Sequence, residues 1–305
     1  MSSRRQPTGL SGVLLVDKPA GPTSHDVVAS LRRATGERRV GHAGTLDPAA
    51  TGLLIGLIGP ATRLASYLTG QEKTYEARIV FGAATDTLDA EGSVVETAPV
   101  PASVFEESRA REVLEGFMGA SLQTPPAYSA VKKAGQTAHR AARSGSPLAL
   151  EVRRIDVSEA DLVRIEADQS AWVVRFTVSK GTYIRTLAND IGRRAGTVAH
   201  LAALRRTRSG QATLEHAHPL EEIADRAREG AVTTLFADPV PLLGLPRADL
   251  PAEQVAQGRP APLPSDAPDG SHLFAVATDE RLLAIYRRDG DLLRAETVFA
   301  TGVAR

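Results

Sequence analysis

Hydrophobic positions in this chain fall into short runs and helical periodicities, cut apart by glycine and proline. Residues 12–16 and 53–58 are continuous apolar runs of strand length. Residues 24–35 instead repeat apolar positions along one helix face, with Ser24 expected at the N-cap and Gly36 just past the end. Pro60 starts a short helix expected over residues 61–68. Residues 75–81 alternate and read as a strand. So do residues 172–179, where Trp172, Val174, Phe176 and Val178 share one face and Arg175 and Thr177 the other. Residues 103–117 and 183–194 have helical period. Strands and helices do not alternate regularly enough for a doubly wound sheet. The pattern predicts an α+β fold, a mixed, largely antiparallel sheet with helices packed on it.

Pro241, Pro246 and Pro251 punctuate the chain and divide an expected domain of residues 1–244 from one of residues 245–305. Past a second proline-rich stretch, residues 272–277, 282–287 and 292–299 read as three short strands, with an Asp-Gly turn at Asp289 and Gly290. The tail is therefore expected to be a small β-rich domain.

Composition narrows the classes. A chain of 305 residues, 42% hydrophobic and 24% charged, buries a full core and is long enough for two domains. It has no Cys, which excludes a disulfide framework, a thiolate metal site and a thiol nucleophile. No apolar signal core follows the first residues, and no apolar run approaches the roughly 20 residues that span a bilayer. A soluble, cytoplasmic protein with no membrane association is expected.

Net charge is zero, yet its distribution is uneven. Residues 176–210 hold seven basic side chains (Lys180, Arg185, Arg193, Arg194, Arg205, Arg206, Arg208) against Asp190 alone. Residues 131–154 hold six (Lys132, Lys133, Arg140, Arg143, Arg153, Arg154) against Glu151. Eight acids lie between residues 84 and 115 against two arginines. The basic segments form a phosphate-binding face if the fold gathers them.

The segment GHAGTLDPAATG, residues 41–52, holds one carboxylate, Asp47, among small residues. Gly41, Gly44 and Gly52 permit backbone angles closed to other residues, and Pro48 pushes Asp47 away from helical geometry. Asp47 is expected on a shaped loop, offered to a substrate that approaches closely.

Six blocks in order carry a resemblance over nearly the whole chain. They are GVLLVDKPAGPTSHDVV (12–28), the Asp47 loop, KTYEARIVFGAATDTLDAEG (73–92), QTPPAYSAVKKAG (123–135), SKGTYIRTLANDIG (179–192) and AHLAALRRTRSG (199–210). Together they resemble the bacterial tRNA pseudouridine synthases of the TruB family. The resemblance implies a pseudouridine synthase fold ending in a PUA-like RNA-binding domain, and isomerisation of uridine at position 55 in the T loop of tRNA. It also implies that Asp47 is the nucleophile and Arg185 its cationic partner. Tyr75 then stacks on the flipped uracil and assists removal of the C5 proton, while Tyr183 and Leu204 line the pocket and His42 contacts the displaced RNA.

The chemistry suits these residue types. Making pseudouridine breaks the ribose bond to N1 of the base, turns the base and rejoins it through C5, with no net redox change. A carboxylate nucleophile suffices, so no metal or other cofactor is expected. In agreement, the chain lacks a Walker loop, an HExxH pair and a dinucleotide glycine fingerprint, and His42, His139 and His200 lie in separate motifs without ligand spacing. Attack at ribose C1′ and attack at C6 of the ring demand the same residues. A base stacked in folded RNA has to be extracted first, which calls for an aromatic platform. The tRNA T-arm is the expected partner, with no obligatory protein or guide RNA. Two other readings are a T-arm chaperone with secondary catalysis and a guide-RNA-dependent synthase.

Overall fold

The computed structural model describes residues 8–304 apart from 130, 134, 135, 145 and 147. The side chains of Lys132, Lys133, His139 and Arg143, named above, also lie outside the described set. The chain divides into two compact units, Met1–Gln71 with Arg208–Arg305, and Glu72–Thr207.

The first unit opens with β1 (Gly12–Lys18), α1 (Ser24–Thr35), β2 (Val40–Ala43), β3 (Thr51–Ile58) and α2 (Ala65–Thr69). Antiparallel β1 sets Leu14 opposite Gly56 of β3, and β2 sets His42 opposite the same glycine. Every residue of β3 after Thr51 is buried, which explains its unbroken apolar run. Two local expectations are corrected. The N-cap of α1 is Thr23, not Ser24: the Thr23 hydroxyl accepts from Asp26 N at 3.1 Å and the Asp26 carboxylate accepts from Thr23 N at 2.8 Å. An acid three residues on selects Thr23 as the cap. The helix expected over 61–68 is a 3₁₀ turn, Gly59–Leu64, running into α2, and the Thr62 hydroxyl donates to Gly59 O within it.

The second unit runs β4 (Lys73–Phe81), β5 (Ala83–Thr85), β6 (Val94–Thr97), α3 (Glu107–Glu115), β7 (Gly119–Gln123), β8 (Lys132–Lys133), β9 (Gln136–Thr137), α4 (Ala138–Arg143), β10 (Arg153–Glu166), β11 (Ala171–Val178) and α5 (Ile184–Arg194). It closes with β12 (Ala199–Ser209), whose last two residues count with the first unit. Its main sheet has the order β12-β4-β11-β10-β7. β4 and β11 are antiparallel, with Tyr75 opposite Phe176 and Lys73 opposite Val178. The face of β11 expected to be buried is buried, but so are Val173 and Thr177, leaving Arg175 alone exposed. Trp172 anchors this core: its indole N–H donates to Val104 O at 2.8 Å and its ring meets Phe81 edge-on at 4.7 Å. The helix expected over 103–117 is interrupted, because Glu106 is extended between the 3₁₀ turn Ala102–Phe105 and α3.

The chain then returns to the first unit with β13 (Ala212–Thr213), β14 (His218–Pro219), α6 (Leu220–Arg228), β15 (Phe236–Ala237), α7 (Pro239–Leu243) and α8 (Ala252–Ala256). A four-stranded antiparallel sheet follows, made of β16 (Ala261–Pro262), β17 (Leu273–Ala277), β18 (Arg281–Asp289) and β19 (Leu292–Ala304) in the order β16-β19-β18-β17. The expected strands are present, and Gly290 turns at φ +62° between β18 and β19. The apolar core does not break at residue 244. Val13, Leu53 and Ile55 share one cluster with Ala275, Leu282, Ile285, Phe299 and Val303, all buried.

Candidate active site

The Asp47 loop fills the gap between β2 and β3 and is fastened through its backbone. Gly44 and Gly52, at φ +85° and +95°, supply the left-handed angles at its two ends; Gly41 is not in that region, so the freedom expected of it is not used. The Ser24 hydroxyl, released from capping, donates to Leu46 O at 3.0 Å and accepts from Leu46 N at 2.9 Å. Beyond the carboxylate, Gly21 N donates to Pro48 O at 3.0 Å. Lys18 is fully buried, and its ammonium donates to the carbonyls of Pro19, Pro48 and Ala50 at 2.9, 3.0 and 2.7 Å. An ammonium has three donors, and two of these three contacts hold the backbone just after the aspartate. The residues before and after Asp47 are thus fixed while Asp47 itself is exposed. His42, on β2, is half-buried, its ring edge-on to His25 with centroids 5.8 Å apart.

In the second unit three sequence blocks converge on Arg185, which lies in the first turn of α5 and is 6% exposed. Its Nη1 donates to Thr87 O at 3.0 Å and stands 3.3 Å from Asp89 Oδ2; its Nη2 donates to Tyr128 O at 2.9 Å. Buried Tyr75 projects from β4. Tyr183 is half-buried at the N-terminal edge of α5, its backbone clamped by buried Gln123: the amide oxygen accepts from Tyr183 N at 2.8 Å and the amide nitrogen donates to Tyr183 O at 3.1 Å. Leu204 is half-buried on β12. The unit therefore holds Tyr75, Tyr183, Arg185 and Leu204, and the first unit holds Asp47 and His42. Lys18, Ser24, Asp89 and Gln123, the residues that hold others in place, carry no mark of that role in the sequence. Each stands inside or at the edge of one of the six blocks, and that is the only signal pointing to them.

Lys73, two residues before Tyr75 on the same strand, is almost fully buried. Burial, reinforced by Arg206 and Lys180, pushes its pKa down to about 8. The basic surface differs from the sequence map. Arg193 is ion-paired with Glu96, and the Arg194 guanidinium packs against Gly116 at the end of α3, so both turn toward the acidic segment. Arg206 is buried. Lys180 and Arg154 are exposed, and the Arg153 guanidinium comes within 3.7 Å of where a Cβ would stand on Gly181, so the two basic segments meet there. Among the described residues no group of three or more His, Asp or Glu is placed to hold a metal ion, and no helix is long and apolar enough to cross a membrane.

Known proteins match this chain over most of its length. Residues 32–184 match the model of the TruB family pseudouridylate synthase N-terminal domain, and residues 185–240 that of the tRNA pseudouridylate synthase B C-terminal domain. A protein of Thermobifida fusca named tRNA pseudouridine synthase B is 43% identical over 95% of this chain and 98% of its own. Its namesake from Opitutus terrae is 51% identical over 70% of this chain and 87% of its own. Among solved structures, a Cbf5-Nop10-Gar1 complex contains a chain that superposes with a TM-score of 0.72 at 26% identity, covering 96% of this chain and 85% of that one. The crystal structure of the archaeal box H/ACA sRNP Nop10-Cbf5 complex gives 0.69 at 26% identity, covering 94% and 85%. With a family model over half the chain and relatives aligned nearly end to end, the chain belongs to the TruB family of pseudouridylate synthases.

Proposed function

We propose that the protein isomerises the T-loop uridine of tRNA, position 55, to pseudouridine with Asp47 as the nucleophile. The observation that carries this reading is the fastening of Leu46, Pro48 and Ala50 by Ser24, Gly21 and Lys18 around an exposed Asp47. A carboxylate held this way does not have to be ordered when the substrate arrives, which lowers the entropic part of the barrier. In the course of the reaction the bond from ribose C1′ to N1 breaks, and the new bond to C5 forms as the C5 proton leaves and N1 gains one, so the reaction balances without an external reagent. Arg185 supplies positive charge for the carboxylate; Tyr75 stacks on the extracted uracil and assists loss of the C5 proton. Tyr183 and Leu204 line the pocket, and His42 meets the displaced loop of the RNA.

The tRNA substrate is supported by the relatives named tRNA pseudouridine synthase B, which align over almost the whole chain. Action without a guide RNA or protein partner is part of the same proposed reading. The test is incubation of purified protein alone with a T-arm stem-loop, followed by mapping of pseudouridine. Product at the T-loop uridine is expected with no addition. Product that requires a guide RNA, or accelerated T-arm folding with no product, would assign the protein to one of the other two readings.

A further inference from the structure

Leu88 stands in a backbone conformation that leucine avoids. Its φ is +64°, and among the described residues the only other non-glycine in that region is Ser170, at +47° after a 3₁₀ turn. A bulky L side chain crowds the backbone there, and glycine, asparagine or aspartate fills such positions far more often. An unfavourable angle of this kind persists only where the surroundings over-determine it.

The surroundings of Leu88 do so. Its N–H donates to Thr85 O at 3.2 Å, and its carbonyl accepts from Leu201 N of β12 at 3.0 Å. Ala90 N in turn donates to Leu201 O at 3.1 Å, so both backbone groups of buried Leu201 are spent on this turn. Asp89 is fixed within it. Its Oδ1 accepts from the Thr87 hydroxyl at 2.5 Å and from Glu91 N at 3.1 Å, and its carbonyl accepts from the Thr85 hydroxyl at 2.6 Å. The two neighbours of Leu88 supply Thr87 O and Asp89 Oδ2, and both acceptors reach the same nitrogen, Arg185 Nη1. Rotation about the Leu88 N–Cα bond swings one acceptor against the other. A return to negative φ would part them and would also leave the buried Leu201 backbone unpaired.

We propose that Leu88 is a positioning residue for Arg185, and that its left-handed backbone, not its side chain, makes the two acceptors converge. The chemical role of Arg185 rests on the reading above; the convergence does not. Residue 88 therefore has to tolerate positive φ. Leu88→Gly and Leu88→Asn admit that angle, whereas the β-branched Leu88→Val resists it. In single-turnover pseudouridine formation on a T-arm stem-loop, the glycine and asparagine variants are expected to stay within about threefold of the parent. The valine variant is expected to lose about 10- to 100-fold, with T-arm Kd within about threefold throughout, as for a misplaced group beside the reacting atoms. A second readout needs no RNA: the guanidinium NMR resonance of Arg185 is expected at its parent position in Leu88→Gly and displaced in Leu88→Val. Leu88→Thr repeats the test if the valine variant does not fold. Parent rate and parent resonance in the β-branched variant would overturn the proposal, as would an equal loss in Leu88→Gly, which would make the side chain the active part. A displaced resonance with unchanged turnover would support the positioning and reject the role proposed for Arg185.

Discussion

Arg185 and Asp89 form an ion pair at 3.3 Å with both side chains largely buried, and two backbone carbonyls hold the same guanidinium. The two carbonyls and Asp89 together set the direction of the fork. Asp89→Asn keeps the shape and loosens one of these three anchors, so single-turnover pseudouridine formation is expected to fall about 10- to 100-fold through misplacement of Arg185, with T-arm affinity within about threefold. Arg185→Lys is expected to cost more, because an ammonium cannot serve two carbonyls and a carboxylate in one plane. Equal activity in Asp89→Asn and the parent would show that the pair is only structural.

Asp47→Asn removes the proposed nucleophile and preserves the loop. Product formation is expected to drop below detection while RNA binding stays within roughly tenfold, since affinity comes mostly from phosphate and stacking contacts. Substantial residual turnover would take Asp47 out of that role.

Turnover is expected to persist in excess EDTA with no nucleotide or flavin added, as a carboxylate mechanism requires. A loss reversed by zinc alone, with the T-arm shown to be folded, would contradict that mechanism.

Affinity for the T-arm is expected to fall steeply with salt, and the choice of residues follows the structure. Lys180→Glu and Arg154→Glu are expected to flatten the slope, each by about 0.7–0.9. Arg193→Glu, which loses only an exposed pair with Glu96, and reversal of Glu106, Glu107 and Glu112 are expected to change it little. Arg206→Glu is unsuitable as a binding probe, because a buried charge reversal unfolds the site before it reports on RNA.

Lys73 gives a pH dependence of stability. Its folded pKa is about 8 against 10.5 for an ordinary lysine. Between those values the unfolded chain holds a proton that the folded chain lacks, so stability rises with pH over that window, and below pH 8 the burial cost is fully present. In urea unfolding, the difference between the parent and Lys73→Met is expected to shift in favour of the parent from pH 8 to 10.5. A pH-independent difference would mean that Lys73 titrates normally.

Several features are legible in the sequence because they depend on neighbours along the chain. The strands around Trp172 and Tyr75, the helix after Thr23 and the Asp289–Gly290 turn all carry local patterns of period or backbone angle. The Asp47 loop is legible as a shaped loop for the same reason. Long-range partners are not: nothing in the Thr23-Ser24 pair itself says that the serine reaches Leu46, 22 residues away, and leaves the cap to the threonine. Strand β10 has no legible pattern because only Ile155 and Val157 are buried in it, and its charged remainder looks like loop. Adding up charges misplaces Arg193 and Arg194, since the sum along the chain does not say which way a side chain points or which acid meets it.

The core of the first unit is complete only with β19, because Phe299 and Val303 belong to the same cluster as Val13 and Leu53. Residues 72–207 are contiguous and can condense as soon as they leave the ribosome, but the strands on either side of Asp47 wait for a partner made more than two hundred residues later. Such contacts are slow to find, and until they form the apolar run of β3 lacks the part of its cover that β19 supplies. The strands that carry the aspartate loop thus receive the last part of their apolar cover at the end of synthesis, and a chain cut short before β19 is expected to leave Leu53 and Ile55 more exposed than in the whole protein.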